Sequence, residues 1–140
     1  FNTENIIFQI GSCNANRALK SANILGNDIK GIDLNMGCPK KFSIQGGMGA
    51  ALLTNIETVE DIVKTWKRNL NINISCKIRL LKNDNKSIEL CQNIAKCNVD
   101  ALGIHARYIV DRPKDPARYK LIDPIINAIN GEIPLIYNGD

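Results

Sequence analysis

The stretch ETVEDIVKTWKRNLNINISCKIR, residues 57–79, decides the fold class of this sequence. Its first part carries apolar residues at the i, i+3, i+4, i+7 spacing that places them on one face of a helix: Val59, Ile62, Val63, Trp66 and Leu70. Acidic residues come first and basic residues last, which is the order that the helix dipole favours. The apolar run at 74–79 then predicts a buried strand. A helix followed directly by a buried strand is half of a βαβ unit, so we expect parallel strands joined by helices.

The same alternation continues on both sides of this stretch. Short apolar runs predict strands at residues 6–10, 31–35, 74–79, 101–105 and 133–137. Helical periodicity predicts helices near residues 18–25, 57–70, 88–97 and 121–129. Helical crossovers of this length are what parallel neighbouring strands require, and the sequence therefore predicts an α/β protein.

Polar residues at the strand ends separate two kinds of α/β fold. A polar residue lies at or next to the carboxyl end of each predicted strand. In chain order these residues are Gln9, Asn35, Lys77, His105 and Asn138. In a barrel the carboxyl ends of the strands meet at one mouth, whereas a doubly wound open sheet spreads them along an edge. The pattern favours a (β/α)8 TIM barrel. Because a whole barrel takes about 250 residues, we expect residues 1–140 to be a central part of one, about strands 3 to 7.

The composition limits the possible binding partners and the cellular compartment of the protein. The net charge of +4 favours a polyanionic partner only weakly. The five cysteines are an odd number and none stands at a metal-ligand spacing with the single histidine, so we expect reduced thiols, no metal site and a cytoplasmic location. No apolar run approaches the roughly 18 residues of a membrane span, and no membrane partner is expected.

The segment from Asn35 to Leu53 is rich in glycine and contains Cys38 just beyond a strand end. Barrel enzymes carry their reactive groups in such loops, and Cys38 is therefore a candidate catalytic residue. Two simpler interpretations stay open from the residues alone. The glycines and Pro39 can form an ordinary turn, and a single cysteine often serves as a small buried apolar residue.

The order of the motifs resembles the dihydrouridine synthase family. Asn35-Met36-Gly37-Cys38-Pro39 is similar to the signature of that family. The wider runs at 31–41 and 46–53 are most similar to its eukaryotic branch, which modifies position 20 of tRNA. The resemblance continues in family order through residues 76–79, 105–107 and 138–140.

This resemblance implies an FMN enzyme that uses NADPH to reduce the C5–C6 bond of uridine in tRNA. Hydride passes to C6, and Cys38 matches the residue that gives a proton to C5. An ordinary thiol is mostly protonated at neutral pH, which suits a general acid. Asn35 matches the residue that hydrogen-bonds the flipped uracil.

The resemblance also assigns the remaining site residues. The positions that match FMN contacts are Gln9, Lys77, His105, Asn138, Gly139 and Asp140. Apart from the resemblance, basic character makes Arg79 and Arg107 candidates for contact with a phosphate of FMN or RNA, and Lys40, Lys41 and Arg112 candidates for the approach of the RNA. Ala106 departs from the family, in which glycine is frequent between the histidine and the arginine.

Two other functions remain open. An FMN barrel acting on a free pyrimidine, such as a dihydroorotate dehydrogenase-like enzyme, would share the lysine and asparagine roles but would leave the Asn35–Pro39 motif unexplained. A non-catalytic RNA-binding or regulatory protein on the same scaffold would have no need of Cys38, Lys77 and His105 together.

Overall fold

A computed structural model describes residues 6–25 and 28–139. The strands are β1 (Ile7–Ile10), β2 (Gly31–Met36), β3 (Asn73–Leu80), β4 (Ala101–Tyr108) and β5 (Leu135–Asn138). The helices are α1 (Ala15–Leu25), α2 (Lys41–Gln45), α3 (Ile56–Asn69), α4 (Asp84–Lys96) and α5 (Ile122–Ile129). Two 3₁₀ segments, Gly49–Thr54 and Tyr119–Leu121, precede α3 and α5.

The five strands form one parallel sheet in the order β1-β2-β3-β4-β5. Each strand lies beside the next one in the chain, and a helix crosses over between each pair. This unreversed order is that of a barrel wall, because a doubly wound sheet changes direction at a switch point. The predicted fold, a five-stranded part of a TIM barrel, is confirmed. The short helix α2 was not predicted, and β4 continues three residues beyond His105 to Tyr108.

The core lies between the sheet and its helices. Four of the five apolar residues predicted for the core face of this helix, from Val59 to Trp66, are fully buried, whereas Leu70 lies just beyond the end of α3 and is half-buried against the core. They pack in one cluster with alternate residues of the strands, including Ile32 and Leu34 of β2 and Ile78 of β3. Successive strand residues point to opposite faces, so the intervening side chains line the inner face of the sheet. That inner face carries the polar residues that the sequence placed at the strand ends.

Asp100 ties α3 to the start of β3. Its carboxylate accepts from Lys67 Nζ at 2.9 and 2.8 Å and from the Ile74 backbone N–H at 2.7 Å. Partial burial raises the pKa of Asp100, but the hydrogen bonds from Lys67 and Ile74 outweigh it, and the net pKa lies below the ordinary value. Its charged form is therefore favoured by folding.

We expect Asp100→Asn to lower the free energy of unfolding at pH 7. A depressed folded-state pKa contributes stability above the unfolded value of about 4, and this contribution is lost as pH falls through the folded value. The Asp100 side chain is 40% exposed, so solvent screening limits the loss to about 1 kcal/mol. Urea unfolding at pH 7 and pH 3 measures it, with Asp61→Asn on the exposed side of α3 as the control. A loss of equal size at both pH values would contradict this account.

Candidate active site

The five polar strand ends meet at one mouth of the sheet. Asn35 is in register with Lys77, and His105 is in register with Asn138. Lys77 Nζ donates to Asn138 Oδ1 at 2.6 Å, and Asn35 Nδ2 donates to Gln9 Oε1 at 2.7 Å. A cavity of about 190 Å³ lies here, and its lining includes Gln9, Asn35, Cys38, Lys77, Arg79 and His105. The side chains that the sequence analysis selected are thus brought together.

Three hydrogen bonds shape the loop that carries Cys38. Asn35 Oδ1 accepts from the backbone N–H of Gly37 at 3.1 Å and of Cys38 at 3.0 Å. The Cys38 carbonyl accepts from the Ala50 backbone N–H at 3.0 Å. Gly49 packs against this loop with a φ of +58°, a conformation that favours glycine. The half-buried Cys38 is therefore held by main-chain contacts and lines the cavity.

Lys77 is one of two cationic side chains that line the cavity, the other being Arg79. Burial lowers the pKa of Lys77, the Asp33 carboxylate raises it in part, and Arg79 lowers it further. Gly103 lies beside its stem, since a Cβ at that position would be 3.3 Å from Lys77 Cγ. The hydrogen bond to Asn138 then directs the ammonium along the sheet. A half-buried cation fixed in this way suits an anionic group bound at the mouth.

Arg107 points inward, towards the end of β5. It is 6% exposed, and its guanidinium donates to the carbonyls of Asp115 at 2.6 Å, Gly139 at 2.7 Å and Pro113 at 3.2 Å. Its Nη1 also lies 3.3 Å from His105 Nε2. These contacts join the loop after β4 to Gly139, so the structure gives Arg107 a part in shaping the site wall.

The other predicted residues lie around the mouth. Arg79 lines the cavity and donates to the Tyr108 carbonyl at 3.1 Å. Lys40 is exposed next to the cavity-lining Pro39, just before α2. Gly139 approaches its surroundings closely, because a Cβ there would be 2.6 Å from Ala117 Cβ. Asp140 lies outside the described residues.

One residue of the site escaped the sequence analysis. Asp33 is 8% exposed on the inner face of β2. It accepts from Gln9 Nε2 at 2.7 Å and from Ser75 Oγ at 2.6 Å. The signal in the sequence was an acidic residue inside an otherwise apolar strand, two positions before Asn35 and so on the same face.

Within residues 6–25 and 28–139 no helix is long and apolar enough to cross a membrane. Over the same ranges no three His, Cys, Asp or Glu side chains come together as a metal-binding group. The mouth is thus lined by amides, a thiol, an imidazole and basic groups.

Parallel strands in unbroken order, with polar side chains and a thiol gathered at their carboxyl ends, define an α/β barrel protein with a candidate site at its mouth. Residues 1–140 match the model of a protein family described as "Dihydrouridine synthase (Dus)". This chain is a member of the dihydrouridine synthase family.

Several curated relatives agree with this membership. The chain is 36% identical over 140 residues to "tRNA-dihydrouridine(20) synthase [NAD(P)+]" of Schizosaccharomyces pombe, covering 96% of this chain and 29% of the relative. It is 35% identical to the protein of the same description from Saccharomyces cerevisiae, covering 96% and 36%. A "tRNA-dihydrouridine(20a/20b) synthase [NAD(P)+]" of Schizosaccharomyces pombe is 35% identical, covering 86% and 37%. The chain spans about a third of the length of these relatives.

A solved structure supports the fold alone. The crystal structure of YagE, a prophage protein belonging to the dihydrodipicolinic acid synthase family from E. coli K12, in complex with pyruvate, superposes with a TM-score of 0.63. The sequence identity is 10%, and the match covers 96% of this chain and 44% of YagE. The likeness shows that this arrangement of strands and helices recurs in another enzyme family.

Proposed function

We propose that this chain forms the FMN-binding catalytic part of a tRNA-dihydrouridine synthase, which uses NADPH to reduce the C5–C6 bond of a tRNA uridine. The observation that carries the proposal is the presence of Cys38 and Lys77 in one cavity, the thiol on a loop fixed by Asn35 and the cation half buried beside it. A half-buried thiol that lines the cavity supports a reactive role for Cys38 over that of a core residue.

The donors and acceptors at the mouth fit FMN. The pyrimidine edge of a flavin presents carbonyl oxygens and an N–H, and Gln9 and Asn138 offer amides that can pair with both kinds of group. Lys77 and His105 line the same face of the sheet, and Gly139 follows β5 with its carbonyl accepting from Arg107. Bound FMN would supply the hydride for C6 of the uracil, and NADPH would restore it. The cavity, at about 190 Å³, is smaller than the roughly 300 Å³ of common ligand pockets.

The side chains of the chain divide the remaining work. Lys77 holds a positive charge in a partly dry site, where it stabilises negative charge at a bound pyrimidine edge. Asn35 uses its oxygen on two backbone N–H groups, which leaves an N–H of its amide to donate to a uracil carbonyl. Reduction at C6 moves electrons toward that carbonyl, so a donor there lowers the barrier. Cys38 then gives its proton to C5.

The RNA side of the proposal rests on charge. Lys40 is exposed beside the mouth, and the chain carries a net charge of +4. A flipped uridine entering the mouth would bring its phosphates near such residues. Arg79 also lines the mouth, whereas Arg107 supports the wall from within. The five cysteines are free in the structure, in keeping with a reducing, cytoplasmic location.

The experiment that tests this function is a dihydrouridine profile of tRNA from cells that lack the intact protein. We expect dihydrouridine to disappear at one site, position 20 first, and to return when the protein is restored. The purified protein should carry FMN and oxidise NADPH in the presence of unmodified tRNA. An unchanged profile would refute the proposed substrate, and turnover of a free pyrimidine without RNA would favour the alternative FMN barrel.

A further inference from the structure

A continuous line of hydrogen bonds crosses the inner face of the sheet and ends at the reactive loop. Gln9 Nε2 donates to Asp33 Oδ2 at 2.7 Å, and Asn35 Nδ2 donates to Gln9 Oε1 at 2.7 Å. The backbone N–H groups of Gly37 and Cys38 donate to Asn35 Oδ1. We call this line, from Asp33 to the Cys38 amide, the polar relay. It joins β1, β2 and the loop that follows β2.

The direction of the polar relay is set at its two ends. A carboxylate only accepts hydrogen bonds, and backbone N–H groups only donate them. The two amides between these ends satisfy every partner in a single orientation. Turning over Gln9 would set its oxygen against Asp33 and its nitrogen against the nitrogen of Asn35, and turning over Asn35 would set its nitrogen against two backbone donors.

Burial protects the Asp33 end of the polar relay, whereas Gln9 is exposed to solvent. Asp33 is 8% exposed and its second oxygen is occupied by Ser75 Oγ at 2.6 Å. Water therefore has little access to the Asp33 carboxylate, and loss of Gln9 would leave one of its oxygens buried without a donor, which is unfavourable. Burial lowers the pKa of Lys77, and the Asp33 carboxylate offsets part of that lowering.

We propose that Asp33 is a positioning residue that sets the direction of the polar relay and so holds Gln9 and the Cys38 loop in one arrangement before any ligand binds. Its value to catalysis rests on the function proposed above, but the arrangement itself does not. Asp33 acts through Gln9 and Asn35.

Three variants of the intact protein separate direction, charge and packing. Asp33→Ala removes the acceptor that orients Gln9. Asp33→Asn keeps an acceptor for Gln9, because the Ser75 hydroxyl can change from donor to acceptor toward the new amide. Ser75→Ala is the matched control, since it removes the other partner of the carboxylate and leaves the Gln9 bond in place.

Hydrogen exchange of the Gly37 and Cys38 backbone amides, measured without ligand, reports whether their hydrogen bonds to Asn35 are intact. We expect Asp33→Ala to speed exchange roughly fivefold, the effect of about one lost hydrogen bond. Asp33→Asn and Ser75→Ala should stay within about twofold of the parent protein. The Ile104 amide in β4 should not change, whereas a general loss of stability would speed exchange there as well. Unchanged exchange at Gly37 and Cys38 in Asp33→Ala would overturn the proposal.

FMN affinity, followed by quenching of flavin fluorescence, tests the link through Gln9. Asp33→Ala should weaken binding roughly tenfold in the parent protein and have little further effect in a Gln9→Ala background. An equal loss in both backgrounds would show that Asp33 does not act through Gln9. A parent protein that binds no FMN would refute the proposed function. The hydrogen-exchange measurement, made without ligand, would still test whether Asp33 orders the polar relay.

Discussion

A protein with Cys38→Ala is expected to bind FMN and to accept hydride from NADPH, yet to form dihydrouridine at least about 100-fold more slowly than the parent protein, the usual contribution of a general acid being 10²–10⁴ in rate. The Cys38 loop is held through the backbone N–H of Cys38 and its carbonyl, which alanine retains. The variant therefore removes the proton donor and leaves the loop in place.

The two halves of the reaction need separate measurements. Loss of flavin absorbance after NADPH is added reports the reductive half, and mass spectrometry of tRNA nucleosides reports dihydrouridine. Cys13→Ala is the control, because Cys13 is an exposed thiol that does not line the cavity. Dihydrouridine formed by Cys38→Ala at the parental rate would exclude Cys38 as the acid. Loss of flavin reduction in the same variant would assign Cys38 a different role.

Gly49→Ala is expected to disrupt the reactive loop and to lower the free energy of unfolding by about 3 kcal/mol, which combines backbone strain with overpacking. Gly49 is buried and has a φ of +58°, where a Cβ is already unfavourable. The new Cβ would be 2.4 Å from Ser43 Oγ, 2.8 Å from the Cys38 carbonyl oxygen and 2.9 Å from Cys38 Cβ. Two of these contacts belong to the reactive residue, so relief of the overlap must move it.

Gly131→Ala provides a matched control for the backbone term. Gly131 has a φ of +72°, but a Cβ there would meet nothing within 4 Å. Its substitution should therefore cost about 1 to 2 kcal/mol, the conformational part alone. Urea unfolding compares the two variants, and the parent's dihydrouridine activity should survive in Gly131→Ala only. Equal losses of stability in both would show that the loop accommodates the extra methyl group.

The elements and the identity of the reactive loop were accessible from the sequence because local order determines them. Apolar residues at helical spacing in α3 are removed from water when that face of the helix packs against the sheet. All four on this face are buried. The carboxyl ends of parallel strands lie at the same edge of the sheet. The meeting of Lys77 and Asn138 at that edge therefore followed from the strand pattern. The motif around Cys38 is contiguous, and its resemblance to the family could be recognised without a structure.

Other features were decided only when the strands were placed side by side. Asp33 lies 24 residues after Gln9 and 42 residues before Ser75 in the chain. The register between β1, β2 and β3 brings the three side chains into contact. The inward turn of Arg107 likewise depends on carbonyls from two other segments that accept its N–H groups. Periodicity reports which face a residue occupies, whereas a hydrogen bond needs a donor and an acceptor within about 3 Å, and that distance is set by tertiary packing.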